Sequence, residues 1–112
     1  MKYISKDQAA RHENSPVCTA FEYDAGSKDI NIARIEISGR YPESGCAVNT
    51  LVTEIVFVEN GSGVIVVNDE HIELSKGDVI HIERNEQVYW EGTLTLIIAC
   101  TPAWYPEQYE NA

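Results

Sequence analysis

Positive charge is scarce in this 112-residue chain, where eight Lys and Arg stand against 18 Asp and Glu for a net charge of −10. Such a field repels phosphate backbones and anionic headgroups, which argues against nucleic-acid and membrane partners. Long apolar runs are missing as well: nothing nears the roughly 20 apolar residues a bilayer-spanning helix needs. Met1 to Ala10 lacks the apolar centre of a signal peptide, so a cytoplasmic location is expected. Cysteine is sparse. Cys18, Cys46 and Cys100 are odd in number, far apart and in no CxxC pair, which points away from a disulfide framework or zinc knuckle and towards reduced thiols. The length leaves room for one domain and excludes a two-domain enzyme. What is present, 44% apolar residues with six Tyr and two Trp, is the balance of a globular protein.

No long helical pattern competes with the β rhythm. Ser5 followed by Gln8 is a weak capping box over a turn or two of helix, which Asn14-Ser15-Pro16 ends, so residues 1–16 read as an N-terminal extension to a single barrel domain over 17–112. Beyond it, short β-rich runs alternate with turn residues at intervals of about 8 to 12, the pattern of an all-β sandwich or barrel. The runs are Val17 to Tyr23, Ile30 to Ser38, Leu51 to Glu59, Val64 to Val67, His71 to Leu74, Val79 to Glu83, Gln87 to Glu91 and Leu94 to Cys100. Asn68-Asp69 suits a tight antiparallel hairpin because both residues tolerate a left-handed backbone.

Period two sorts the faces. Glu54, Val56 and Val58 share one side of their run, and Ile55 and Phe57 share the other. Leu94, Leu96, Ile98 and Cys100 oppose Thr95, Ile97 and Ala99 in the same way. A small sandwich rarely covers both faces of such strands, so a homodimer through an apolar outer sheet face is expected.

Two segments resemble the motifs of a small single-domain cupin. Glu54-Ile-Val-Phe-Val-Glu-Asn-Gly61-Ser-Gly63 matches an acidic residue, a six-residue strand and a glycine turn, and Gly77-Asp78-Val-Ile-His-Ile82 opens the second motif. Fifteen residues separate Gly61 from Gly77, a short linker of the kind found in small microbial members. The resemblance covers roughly residues 30 to 102 and implies an all-β double-stranded β-helix, a jelly-roll barrel that limits its exposed edges.

Most cupins hold a metal with two histidines and a glutamate of the first motif and a histidine of the second. Carried onto this chain, the first two positions fall on Ala47 and Asn49, or on Val48 and Thr50, and the last falls on Val88. Only Glu54 remains of the ligand set, and one carboxylate does not hold a transition metal. The expectation is a barrel with no metal and no cofactor. The exception would be a substitute set in which Glu54, Glu86, Asn49 and Cys46 converge on a hard cation. Asn85 stands where the family has a glycine and can adopt the same left-handed backbone.

Glu54, pointed into the barrel by the resemblance, is the candidate catalytic residue: an inward carboxyl is desolvated and its pKa rises towards that of a general acid or base. Glu86 and Trp90 sit at even spacing from Val88 and so share its face, lining the same cavity if Val88 points inward as the family's histidine would, and with Asn49 and Tyr41 they complete the candidate ligand-binding set. Packing is the competing role for Trp90. His81 reads as a satisfied sheet histidine and His71 as exposed, while His12 receives no role. Cys46 reads as a bystander thiol. The tail from Thr101 to Tyr109 suits an extended segment along a sheet edge. Three functions follow: a metal-free barrel binding a small, polar, neutral or cationic ligand; an isomerase or lyase using Glu54 as base; or a module whose interior is filled by Val56, Val58, Val88 and Trp90.

Overall fold

The computed structural model describes residues 1–112, and its strands run in chain order as β1 (Ala10–Ser15), β2 (Cys18–Tyr23), β3 (Asn31–Tyr41), β4 (Ala47–Asn49), β5 (Thr53–Val67), β6 (Glu70–Ser75), β7 (Val79–Ile82), β8 (Val88–Thr101) and β9 (Tyr109–Asn111). Every pairing is antiparallel. The long strands β5 and β8 lie side by side for their whole length and belong to both layers of the barrel. β3 pairs with β8 along nearly its whole length, from Trp90 to Cys100; in one layer β2 and β1 continue outward from β3 beside the C-terminal half of β8, while β7 flanks the start of β5. In the other, β6 flanks the end of β5, and β4 with β9 flanks the start of β8.

Each of these long strands spans two of the runs read from the sequence. Asn60-Gly61-Ser62-Gly63 reads as a turn, yet β5 passes straight through it, and β8 passes through Gly92. The two chains approach too closely there for side chains: a Cβ on Gly61 lies 2.0 Å from the Thr93 carbonyl oxygen, and one on Gly92 lies 2.6 Å from the Gly63 Cα. These glycines let both strands bend from one layer into the next. A β-bulge between Val58 and Asn60 adds a residue and switches the inward parity of β5. Before it Val56 and Val58 point inward, and after it Ile65 does; all three are 0% exposed.

The N-terminal segment differs from its reading as an extension. The capping box holds, with Ser5 N donating to Gln8 Oε1 at 2.8 Å over the short 3₁₀ turn Lys6–Gln8. Residues 10–15 then form β1 and join the sheet through a hairpin to β2. Asn68 and Asp69 turn from β5 to β6 with φ of 48° and 68°, the left-handed pair that a two-residue hairpin demands. Asn85, with φ of 67°, takes the left-handed place expected of it. Val56, Val58, Ile65, Val88, Trp90 and Leu96 are central to one continuous core, each buried apolar side chain contributing about 1.5–3 kcal/mol. No helix is long and apolar enough to cross a membrane.

Candidate functional site

Strand register lays a single row across the inner face of the barrel: Asn31 on β3 pairs with Cys100 on β8, Cys100 with Glu54 on β5, and Glu54 with Ile82 on β7. Cross-strand partners share a face, so Glu54 points the same way as Cys100 and Ile82, which are 4% and 3% exposed. The glutamate residue as a whole is only half-buried, but its carboxyl is desolvated, and that burial raises its pKa to about 7 against the opposing pull of the nearby Asn49 amide.

The orientation of Asn49 follows from its other contacts. Its Oδ1 accepts from Trp104 Nε1 at 3.1 Å and from Gln108 Nε2 at 2.8 Å. A flipped amide would set its NH₂ against two N–H donors, so the NH₂ is the group left for Glu54. Gln108, at 3% exposed the one buried polar side chain, is saturated in turn: its Oε1 accepts from Leu51 N at 3.3 Å and Val52 N at 3.2 Å. Thr50 adds its N–H and hydroxyl to the Gln108 carbonyl oxygen. The Cys100 thiol donates to Asn31 Oδ1. Burial, then the charge of Glu54, raises that thiol to a pKa of about 11, which keeps it neutral. No buried polar side-chain atom lacks a partner.

Tyr41 is half-buried against the core, and its hydroxyl meets Tyr109. Burial first, then Tyr109 and Cys18, push it above the ordinary phenol range. Tyr109 packs against Trp104 with ring centroids 6.1 Å apart, so Tyr41, Tyr109, Trp104, Asn49 and Glu54 form a chain of contacts across one end of the barrel.

Two expected ligand contacts are drawn elsewhere. The Glu86 carboxylate accepts from Glu83 N at 2.6 Å and from Asn68 Nδ2 at 3.4 Å, because residues 83–86 form a turn and the period-two reading does not run through it. Trp90 does face inward, but at 6% exposed it is spent on core packing. Cys46 holds the far terminus through paired backbone bonds with Ala112. His81 lies on the outer face and meets Thr53 Oγ1 at 2.9 Å, His71 is exposed, and His12 approaches Glu22 to 4.0 Å.

No family model matches the sequence, and no curated protein matches it. Solved structures do. Streptomyces Pac13, described as a nucleoside dehydratase, superposes with a TM-score of 0.89 over 100% of this chain and 92% of its own at 17% identity. It has also been solved with uridine. KdgF from Halomonas sp. gives 0.75 over 91% and 94% of the two chains at 15% identity. Ectoine synthase from P. lautus gives 0.76 over 100% and 90% at 12% identity. All three are cupin folds.

This chain has the cupin fold.

Within the cupin barrel the metal-ligand positions do come together, with Ala47 opposite Val88 and Asn49 beside Glu54. Their chemistry does not suit a metal. Alanine and valine offer no donor atom, and the Asn49 oxygen, its one ligating atom, is already taken by two N–H groups. No three His, Cys, Asp or Glu side chains cluster so as to hold an ion, the Glu54, Glu86, Asn49 and Cys46 set included. Of the positions on which the first motif's ligands could fall, Asn49 is the one whose side chain acts on Glu54. Sequence reasoning missed Gln108 and Trp104. The available signal was the tail itself, whose prolines frame aromatic residues.

Proposed function

We propose that this cupin is a small-molecule enzyme, a lyase or isomerase, in which Glu54 transfers a proton as general acid and base without help from a metal. The observation that carries the reading is a desolvated carboxyl titrating at about 7, held by one amide donor on the inner face of the barrel. A group with that pKa is half ionised at neutral pH and can both take and return a proton. Since Val56, Val58 and Ile65 fill the barrel beyond it, the substrate sits at the Glu54 end, with Asn49 and Tyr41 as further contacts. The charge of −10 favours a neutral or cationic polar molecule. A neighbour solved with the neutral nucleoside uridine supports that class.

The test begins with thermal-shift screening of neutral nucleosides, sugars and polyols at pH 7. Each compound that stabilises the protein is incubated with wild type and Glu54→Gln, and the products are read by mass spectrometry and NMR for loss of water or isomerisation. Both proteins should bind, and only wild type should turn over, with a loss of about 10²-fold or more in the variant. A bound compound that wild type leaves unchanged supports instead a binding protein with Glu54 as an anchor.

We further propose that two copies associate through the outer sheet face in the cytoplasm. Ile55, Phe57 and Val79 are 50%, 42% and 59% exposed there, and Phe57 stands between Ile97 and Val79 in the strand register.

A further inference from the structure

The C-terminal segment beyond β8 does more than close a sheet edge. Its backbone is fixed at several points: β9 pairs with β4, Ala112 exchanges two hydrogen bonds with Cys46, and the Gln108 carbonyl takes two from Thr50. From this fixed strap two side chains reach the same atom, Asn49 Oδ1, at 2.8 and 3.1 Å. An amide oxygen has two lone pairs, so this acceptor is filled. The far side of the Gln108 amide is pinned to Leu51 N and Val52 N, which prevents it from rotating away. Nothing in sheet formation requires an indole N–H and a carboxamide to converge on one oxygen; the consequence is that the opposite end of Asn49 has a single orientation.

We propose that Trp104 and Gln108 are positioning residues, which lock the Asn49 carboxamide so that its NH₂ is presented to the Glu54 carboxyl. This deepens the reading of Glu54 as the proton-transfer group and rests on it for its functional meaning. The strap acts through Asn49 alone, since neither side chain hydrogen-bonds Glu54. Besides Glu54, the titratable groups facing this end of the barrel are Cys100 on β8, Tyr41 on β3 and Tyr109 on β9. Burial keeps the Cys100 thiol and the Tyr41 phenol in their neutral forms at pH 7, so the Asn49 amide is the main polar influence on the carboxyl.

The experiment is NMR on the full chain. The Asn49 side-chain amide reports rigidity through ¹⁵N relaxation, and the Glu54 carboxyl carbon reports its own titration. Trp104→Phe removes one donor while keeping an aromatic ring and adding no charge. Gln108→Glu keeps the acceptor for Leu51 and Val52 but removes the donor to Asn49. In wild type the Asn49 amide should be as rigid as the backbone, and its shifts should follow the ionisation of Glu54. In Trp104→Phe the amide should become mobile and the Glu54 pKa should rise by about half a unit, with Asn49→Ala giving a larger rise as the limit of the lost bond. Gln108→Glu should mobilise or invert the amide; its pKa change also contains the new charge, so Trp104→Phe is the deciding variant. A folded Trp104→Phe protein with a rigid Asn49 amide and an unmoved Glu54 pKa overturns the proposal. A wild-type Glu54 that titrates near 4.5 overturns the acid–base reading instead, and positioning by the strap is then decided by the Asn49 relaxation alone.

Discussion

A carboxyl whose ordinary pKa is 4.5 keeps its proton to about 7 at position 54, because the inner barrel face removes most of the water that would solvate its charge. Folding therefore favours the protonated form. Below pH 4.5 the group is protonated both folded and unfolded and imposes no penalty. As pH rises through the window from 4.5 to 7 the unfolded chain ionises first, and stability is lost until the folded group has ionised too. The full penalty is on the order of 3 kcal/mol. Glu54→Gln removes the charge and retains an acceptor for Asn49. The variant should match wild type at pH 4 and exceed it at pH 8 by roughly 1–3 kcal/mol, read as the difference in urea midpoints at the two pH values. Equal stability at pH 8 would mean that the carboxyl is well solvated after all. Glu54 was legible in the sequence because its motif fixes an acidic residue at the head of an inward strand. Trp104 and Gln108 were not, since their role depends on a strap returning across more than fifty residues to meet Asn49, a distance no local pattern encodes.

At the scale of the strand, the same letters carried two meanings. Glycine and serine in sequence usually punctuate, and Asn60-Gly61-Ser62-Gly63 has the composition of a turn; inside β5 they instead provide the room that lets two backbones cross at a bend. Hairpin chemistry at Asn68-Asp69 was legible because a tight turn is a local event, whereas the closeness of Gly61 to Thr93 is a tertiary fact. Two glycines with positive φ separate these cases. Gly61 has φ of +89° and a Cβ there would meet the Thr93 carbonyl, while Gly77 has φ of +95° and open space around it. Gly77→Ala should cost about 1 kcal/mol, the backbone strain alone. Gly61→Ala should cost about 3 kcal/mol or more, because β5 must also move away from β8. Chemical denaturation of the two variants makes the comparison, and equal losses would show that the crossing is looser than its geometry. The Glu86 misreading has a similar origin, in that a period of two was carried through a turn where the left-handed Asn85 interrupts it.

For the molecule as a whole, the outer face of the sheet sets apolar burial against charge. Ile55, Phe57 and Val79 leave an apolar band open to water, which favours association, while −10 on each chain opposes it. The balance has a sign that can be measured. Repulsion between like-charged chains is screened over about 8 Å at physiological ionic strength and over about 3 Å at 1 M salt, whereas hydrophobic burial does not weaken as salt is added. Association through this face should therefore tighten with salt, and an interface held by ion pairs would loosen. Light scattering at micromolar concentration should give twice the mass of one chain, with the dimer fraction rising from 50 mM to 500 mM sodium chloride. In a two-fold interface one substitution acts twice, so Phe57→Lys removes two buried rings and adds two charges. Phe57 is 42% exposed in one chain, so its burial on association contributes at most about 0.6–1.3 kcal/mol per ring, and the dissociation constant should rise by about tenfold or more and leave a folded monomer. A wild-type chain that scatters as a monomer at every salt concentration would instead mean that the outer face stays open, and that the barrel interior alone supplies the stability of the fold.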